Sequence, residues 1–177
     1  DKQQATKRLL SEQAYHITPT QYKTIVGDAA TYWAFECLVN DRGAFGPAEL
    51  ADITGLPKAA LEAGLKKLAA HKLARRVGAG RYKSPLTGKF YMFPKTFPGI
   101  EAYRKRLAKI ISEMVARRGA ITHESGVMIR AEEGSVLRSI AAMRDALEAS
   151  TAYSVYEKAE GSGVFLLQIR ARKALDF

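Results

Sequence analysis

With Cys37 as its one cysteine in 177 residues, the chain can form no intramolecular disulfide and no CxxC metal site. Its fold must rest on packing, and Cys37 is expected to be a small core residue, since no histidine stands near it to activate a nucleophile. A reducing intracellular setting, cytoplasmic or nucleoid-associated, fits this cysteine usage. Long apolar runs are also missing. None approaches the roughly 18 residues that cross a bilayer, and Asp1-Lys2-Gln3-Gln4 has no apolar signal-peptide core, so no membrane partner is expected. Opening on Asp1 rather than Met, the chain is expected to be a piece of something longer. His16, His71 and His123 are scattered without HxxxH or HExxH spacing, and Thr122-His123-Glu124 lacks a second histidine. A GxxxxGK phosphate loop is excluded because the glycine it needs ahead of Gly88-Lys89 is Lys83. Gly78-Ala79-Gly80 follows an extended segment but opens no helix, which makes it a hairpin turn rather than a dinucleotide fingerprint. No enzymatic constellation, cofactor or metal is therefore expected.

The sharpest absence is of negative charge. Between Ala63 and Ile100 there is no Asp or Glu, while Lys66, Lys67, Lys72, Arg75, Arg76, Arg81, Lys83, Lys89 and Lys95 all fall in that window. A solvated helix face normally mixes signs, because opposite charges at i, i+4 support each other and like charges repel. The window is either a solubilising surface or an anion-binding one. The whole chain favours the second, since 28 basic residues face 18 acidic ones and leave a net charge of +10. That balance suits a polyanion, nucleic acid before membrane surface. A hydrophobic content of 47% is enough for one ordinary domain or two small ones.

In chain order, residues 1–17 read as an arm or a short docking helix. Thr18-Pro19 caps a helix that runs to about Asn40, with Tyr22, Ile25, Val26, Ala29, Trp33, Cys37 and Leu38 as its apolar stripe. Asn40-Asp41-Arg42-Gly43 breaks it, and Ala44-Phe45 is a short strand. A helix follows from Pro47, with Leu50 and Ile53 inward, and Thr54-Gly55 ends it. The next helix opens at Pro57 and buries Leu61, Leu65 and Leu68 at i, i+4, i+7, while Ala59, Glu62, Ala63, Lys66, Lys67 and Ala70 face away. Those alanines either admit a close partner or serve as good helix formers. Residues 73–77 are extended, Arg81-Tyr82-Lys83 resumes the strand pattern after the glycines, Ser84 to Gly88 is a turn, and Lys89 to Phe93 is a strand. Of Phe90, Tyr91, Phe93 and Phe97, alternate members in the strand are expected in the core rather than as base-stacking rings. Pro94 to Gly99 reads as a boundary, beyond which a helix of about twenty residues buries Ile100, Tyr103, Leu107, Ile110, Ile111, Met114 and Val115.

Ala48-Glu49-Leu50-Ala51-Asp52-Ile53-Thr54-Gly55-Leu56-Pro57, followed by Leu61, Leu65, Leu68, Leu73 and the basic hairpin, resembles the winged helix-turn-helix family over residues 47–93. An internal repeat extends the resemblance: Gly43-Ala44-Phe45 overlays Gly119-Ala120-Ile121, and Leu61, Leu65 and Leu68 overlay Val136, Ile140 and Met143. A second copy would have Thr122 to Ile129 and Ser135 to Ala149 as helices, and residues 152–158 and 164–170 as a hairpin with its tip at Glu160-Gly161-Ser162-Gly163. In that copy Arg130-Ala131-Glu132-Glu133-Gly134 replaces the compact turn. The implied fold is α+β, mainly helical, with tandem winged helices of three helices and a small antiparallel hairpin each, at residues 18–97 and 98–177.

What the resemblance implies is binding of double-stranded DNA, by a replication initiator of the plasmid or phage kind or a transcription regulator. The helix after Pro57 would present Lys58, Ala59, Glu62, Ala63, Lys66 and Lys67 to the major groove, and the hairpin would lay Arg75, Arg76, Arg81, Lys83 and Lys89 along phosphates. Residues 1–98 hold fifteen basic and eight acidic side chains against thirteen and ten in residues 99–177, so the first copy is the expected reader. Arg138 and Arg144 would make secondary contacts, and Arg170-Ala171-Arg172-Lys173 non-specific ones. A second copy of the chain, or other replication or transcription proteins, are the further partners. The competing class is a tandem adaptor that binds protein chains in a DNA-processing complex.

Overall fold

The computed structural model of the chain describes residues 14–118, 133–157, 163, 165, 167 and 168. The chain divides into two compact units, one formed by Asp1–Ala120 with Tyr156–Lys158 and the other by Ile121–Val155 with Ala159–Phe177. The fold is α+β and mainly helical, with very short strands.

In the first unit, β1 (Tyr15–His16) leads into α1 (Pro19–Ile25), α2 (Ala29–Val39), α3 (Pro47–Thr54) and α4 (Lys58–Ala70), then β2 (Arg75–Arg76), β3 (Tyr82–Lys83), β4 (Tyr91–Met92) and α5 (Ile100–Arg118). Thr18 caps α1 as its sequence predicts: its hydroxyl accepts from the Gln21 N–H at 3.2 Å, and the Gln21 carboxamide accepts from the Thr18 N–H at 3.0 Å. The single helix expected over residues 18–40 is instead two. Gly27 and Asp28 break it, and the Asp28 carboxylate caps α2 by accepting from the Thr31 N–H at 2.8 Å and the Thr31 hydroxyl at 2.9 Å. The break resets the helical phase, so Phe35 becomes fully buried while Trp33 and Cys37 are only partly covered.

Gly55, at φ 67°, ends α3 in the left-handed conformation that glycine adopts without strain. Leu50 is fully buried, but Ile53 is 50% exposed, contrary to the inward position expected for it. Thr54 takes that place, one helical turn on from Leu50, with its hydroxyl donating to the Leu50 carbonyl at 2.7 Å. Leu61, Leu65 and Leu68 of α4 are all fully buried, an apolar stripe contributing about 1.5–3 kcal/mol per side chain. Helix α4 closes with the Leu73 N–H donating to the Leu68 carbonyl and the Lys72 N–H to that of Ala69, a Schellman geometry that places Lys72 at φ 61°.

Strands β2 and β3 pair antiparallel, with Arg75 opposite Lys83 and Arg76 opposite Tyr82. Phe45 extends this ladder as a single-residue bridge, exchanging 2.9 Å bonds with Tyr82. Strand β4 does not join it. It pairs parallel with β1, Tyr15 against Tyr91 and His16 against Met92, so the described part of the expected arm is a strand with Ile17 buried behind it. Tyr91, Phe93 and Phe97 pack against the core and Phe90 is 45% exposed, the alternation expected of a strand.

The units do not divide at the Pro94 to Gly99 stretch. Helix α5 lies in the first unit because Ile100 and Ile110 are buried in the same core as Phe35 and the α4 leucines. In the second unit, α6 (Glu133–Ala149) covers the helix expected over 135–149. Its counterparts to the α4 leucines are less buried, Met143 being 49% exposed. Among the described residues 152–157 of the expected strand, none is in a strand. Ser150–Tyr153 forms a tight helical turn, its Ser150 hydroxyl donating to Leu147 O at 2.6 Å. Tyr156 belongs to the first unit, where its carbonyl accepts from the Arg42 N–H at 2.7 Å. The helix expected over 122–129, the Arg130 to Glu132 part of the connecting turn, most of the 160–163 tip and the 170–173 tail lie outside the described residues.

Candidate nucleic-acid interface

Helix α4 owes its outward face to the same periodicity that buries its leucines. Lys58, Ala59, Ala63 and Lys66 are exposed and Glu62 is half-exposed, one face one to two turns long, as expected. Glu62 pairs with Lys66 one turn on at 2.8 Å. The hydrogen bond to the Lys66 ammonium holds the Glu62 carboxyl below the usual carboxylate range, and the same contact raises the Lys66 pKa. Lys66 also feels the like charge of Arg76, which works against its protonated form and brings the hairpin strand β2 electrostatically next to the end of this face.

The nine cations of the acid-free window do not act alike once folded. Lys67 turns toward α2 and pairs with Asp28 at 2.7 Å. Partial burial works against the Asp28 carboxylate, but the Lys67 ammonium and the Thr31 donors outweigh it and hold its pKa low. Arg81 folds back on the start of α3, where its guanidinium donates to the Ala44 carbonyl and pairs with Glu49 at 2.9 Å. Glu49 in turn accepts from the Gly46 N–H at 2.7 Å, so Arg81 fastens the hairpin to the α3 cap. Lys89 is not on the hairpin, because the turn from Ser84 to Gly88 carries it to the approach of β4, where its N–H donates to the Leu86 carbonyl. Three carboxylates from outside the window, Asp28, Glu49 and Glu62, thus neutralise part of it, and no sequence spacing announced the first two pairings.

Lys95 is exposed beyond β4, away from the hairpin strands; the other four are compact. Arg75 and Arg76 on β2 are exposed, Lys83 opposite Arg75 is half-buried, and Lys72 is exposed in the turn joining α4 to β2. Among the described residues none of these four, nor Lys58, has an ion-pair partner. Lys72 was named by the charge window but not by helix or hairpin pattern, since it belongs to neither. Three successive residues with positive φ, Gly78 at 107°, Ala79 at 39° and Gly80 at 72°, make the hairpin tip, closed by the Val77 N–H donating to the Arg81 carbonyl at 2.9 Å.

On α6, Arg138 donates to the Ser135 hydroxyl at 2.9 Å and Arg144 faces Glu148 at 3.9 Å. Cys37 is half-covered beside Glu36, and burial, reinforced by Glu36 and Asp41, pushes its thiol up to about 12, which leaves it protonated and unreactive at neutral pH. Among the described residues no His, Cys, Asp and Glu cluster could hold a metal ion, and no helix is long and apolar enough to cross a membrane. None of the protein-family models, curated proteins or solved structures compared with the chain matches it.

Proposed function

We propose that the first unit is a winged helix that binds double-stranded DNA, with α4 in the major groove and the β2–β3 hairpin against the backbone. The observation that carries this is the cationic rim of Lys58, Lys72, Arg75, Arg76 and Lys83 around the exposed small-residue face of α4, with no carboxylate paired to it among the described residues. The element order α2, Phe45 bridge, α3, α4, β2, β3 is similar to that of a winged helix and supports the same reading. An α-helix fits the major groove of B-DNA, alanine meets thymine methyl groups, and Glu62 accepts from a cytosine amino group once Lys66 swings to a phosphate. The role is one of binding, as an intracellular replication initiator or transcription regulator, rather than catalysis.

Arg75 and Arg76 are the variants of choice, because reversing Arg81 would also break its bond to the α3 cap. With about five phosphates neutralised, log affinity for a mixed-sequence duplex is expected to fall with log salt at a slope of about −4 to −5. Arg75→Glu with Arg76→Glu should remove most of that affinity while leaving the circular dichroism spectrum unchanged. A salt-insensitive wild type, or a double variant that binds as well, overturns the proposal. Selection from a random duplex pool then reads out the sequence preference.

A second reading attaches to the second unit alone. Leu137, Tyr153, Val155, Phe165 and Leu167 are each more than half exposed, which favours a protein contact there over a nucleic-acid one.

A further inference from the structure

Lys23 and Arg106 are 83 positions apart, yet both lie over the Tyr103 ring. The Lys23 ammonium is 5.8 Å from the Tyr103 centroid and 5.1 Å from that of Phe97, and the Arg106 guanidinium is 5.5 Å from Tyr103. The two rings are themselves 5.8 Å apart, and Phe97 packs on Tyr22 of α1. Both cations are exposed, and among the described residues neither has an ion-pair partner. Two like charges on one aromatic pair repel each other, while each cation–π contact contributes only about 0.5–1 kcal/mol at an exposed site. An anion bound between them would turn that repulsion into attraction.

The pair is also fixed in relation to α4. Arg106 spends one of its donors on the Gly27 carbonyl at 3.3 Å, leaving the rest of its guanidinium fork unused there. Gly27 adjoins Asp28, the residue that holds Lys67 of α4, and Gln21 of α1 donates to the His71 carbonyl at the α4 C-terminus at 3.0 Å. The path from the aromatic platform to α4 is therefore a chain of direct bonds through one turn.

We propose that this α1–α5 platform is a second anion surface, taking the phosphate backbone of the same duplex beside the groove that α4 enters; the proposal rests on the DNA-binding reading above. Each ring has a cation over it, so the platform offers charge to phosphates before a ring face to a base, which favours duplex backbone over unpaired strand.

Fluorescence anisotropy of a labelled mixed-sequence duplex across a salt series tests this on the full chain. Lys23→Gln with Arg106→Gln is expected to weaken binding about 10-fold near physiological salt and to shrink the slope by about 2, the share of two phosphates. Lys23→Arg with Arg106→Lys keeps both charges and should keep the slope, which separates lost charge from lost packing. A wild-type slope retained in the Gln pair, with Arg75→Glu and Arg76→Glu still abolishing binding, overturns the platform alone. A slope lost equally in the charge-keeping pair assigns the residues to packing and also overturns it. Tighter binding of a labelled single strand than of the duplex overturns the duplex assignment, and no salt-dependent binding by the wild type overturns both proposals.

Discussion

Glu36 sits on α2 with Tyr32 one turn before it and Asn40 one turn after, and the Asn40 carboxamide donates to its carboxylate at 3.2 Å. Burial outweighs these contacts and pushes its carboxyl up to about 7 from an ordinary 4.5. The sign follows from the protonated form being the one the fold prefers. Stability from Glu36 is fully present below about pH 4.5 and is lost as pH rises through about 7, because the unfolded chain ionises first. Glu36→Gln is therefore expected to stabilise the protein by about 1–3 kcal/mol at pH 8 and to change little at pH 4.5, read from urea unfolding midpoints at the two values. An equal effect at both would show that folding does not raise this carboxyl's pKa. Residue-scale features of this kind were partly legible: the Thr18 cap and the Gly55 stop follow from local chemistry. The Arg81 bond to Glu49 and the Asp28 bond to Lys67 were not, because each joins side chains that only the packed fold brings together.

Between elements, α4 lies against α2 at Gly64, where a Cβ would fall 3.0 Å from the Thr31 Cα, 3.1 Å from its nitrogen and 3.1 Å from its hydroxyl. A glycine inside a helix loses about 1 kcal/mol to alanine in propensity, so its presence here answers to the close approach of two backbones. Overpacking against backbone costs about 1–3 kcal/mol, more than the propensity gain, and Gly64→Ala is expected to lower the urea midpoint and Gly64→Val to lower it further. An alanine variant as stable as wild type would mean that α2 yields at this crossing. The leucine stripe of α4 was readable because period and burial coincide, and the hairpin because its glycines sit between extended segments. The break at Gly27-Asp28 was not, since apolar residues continue across it at nearly helical spacing. The β1–β4 pairing joins segments 76 residues apart by parallel backbone bonds, for which local sequence carries no signal.

At the scale of the whole chain, the division into units redistributes the charge. Divided after residue 98, both halves of the sequence are basic; divided as the structure divides, the first unit holds 22 basic and 11 acidic residues and the second holds 6 and 7. Helix α5 makes the difference, since it brings Arg104, Lys105, Arg106, Lys109, Arg117 and Arg118 to the first unit against Glu101 and Glu113. The apolar pattern of α5 was legible in the sequence, but its allegiance was not, because Pro94, Pro98 and Gly99 look the same whether they separate domains or turn a chain back onto one core. If affinity follows phosphate neutralisation, it should reside almost wholly in the first unit. Arg138→Glu with Arg144→Glu is accordingly expected to weaken duplex binding less than about 3-fold and to leave the salt slope within about 1 of wild type, because a near-neutral unit releases few counterions. The same titration applied to Arg75→Glu with Arg76→Glu supplies the contrast. Equal losses from the two double variants would place both units on the duplex and restore the symmetric pair that the internal repeat implies. A loss confined to the first unit would leave the exposed apolar side chains of the second for a protein surface.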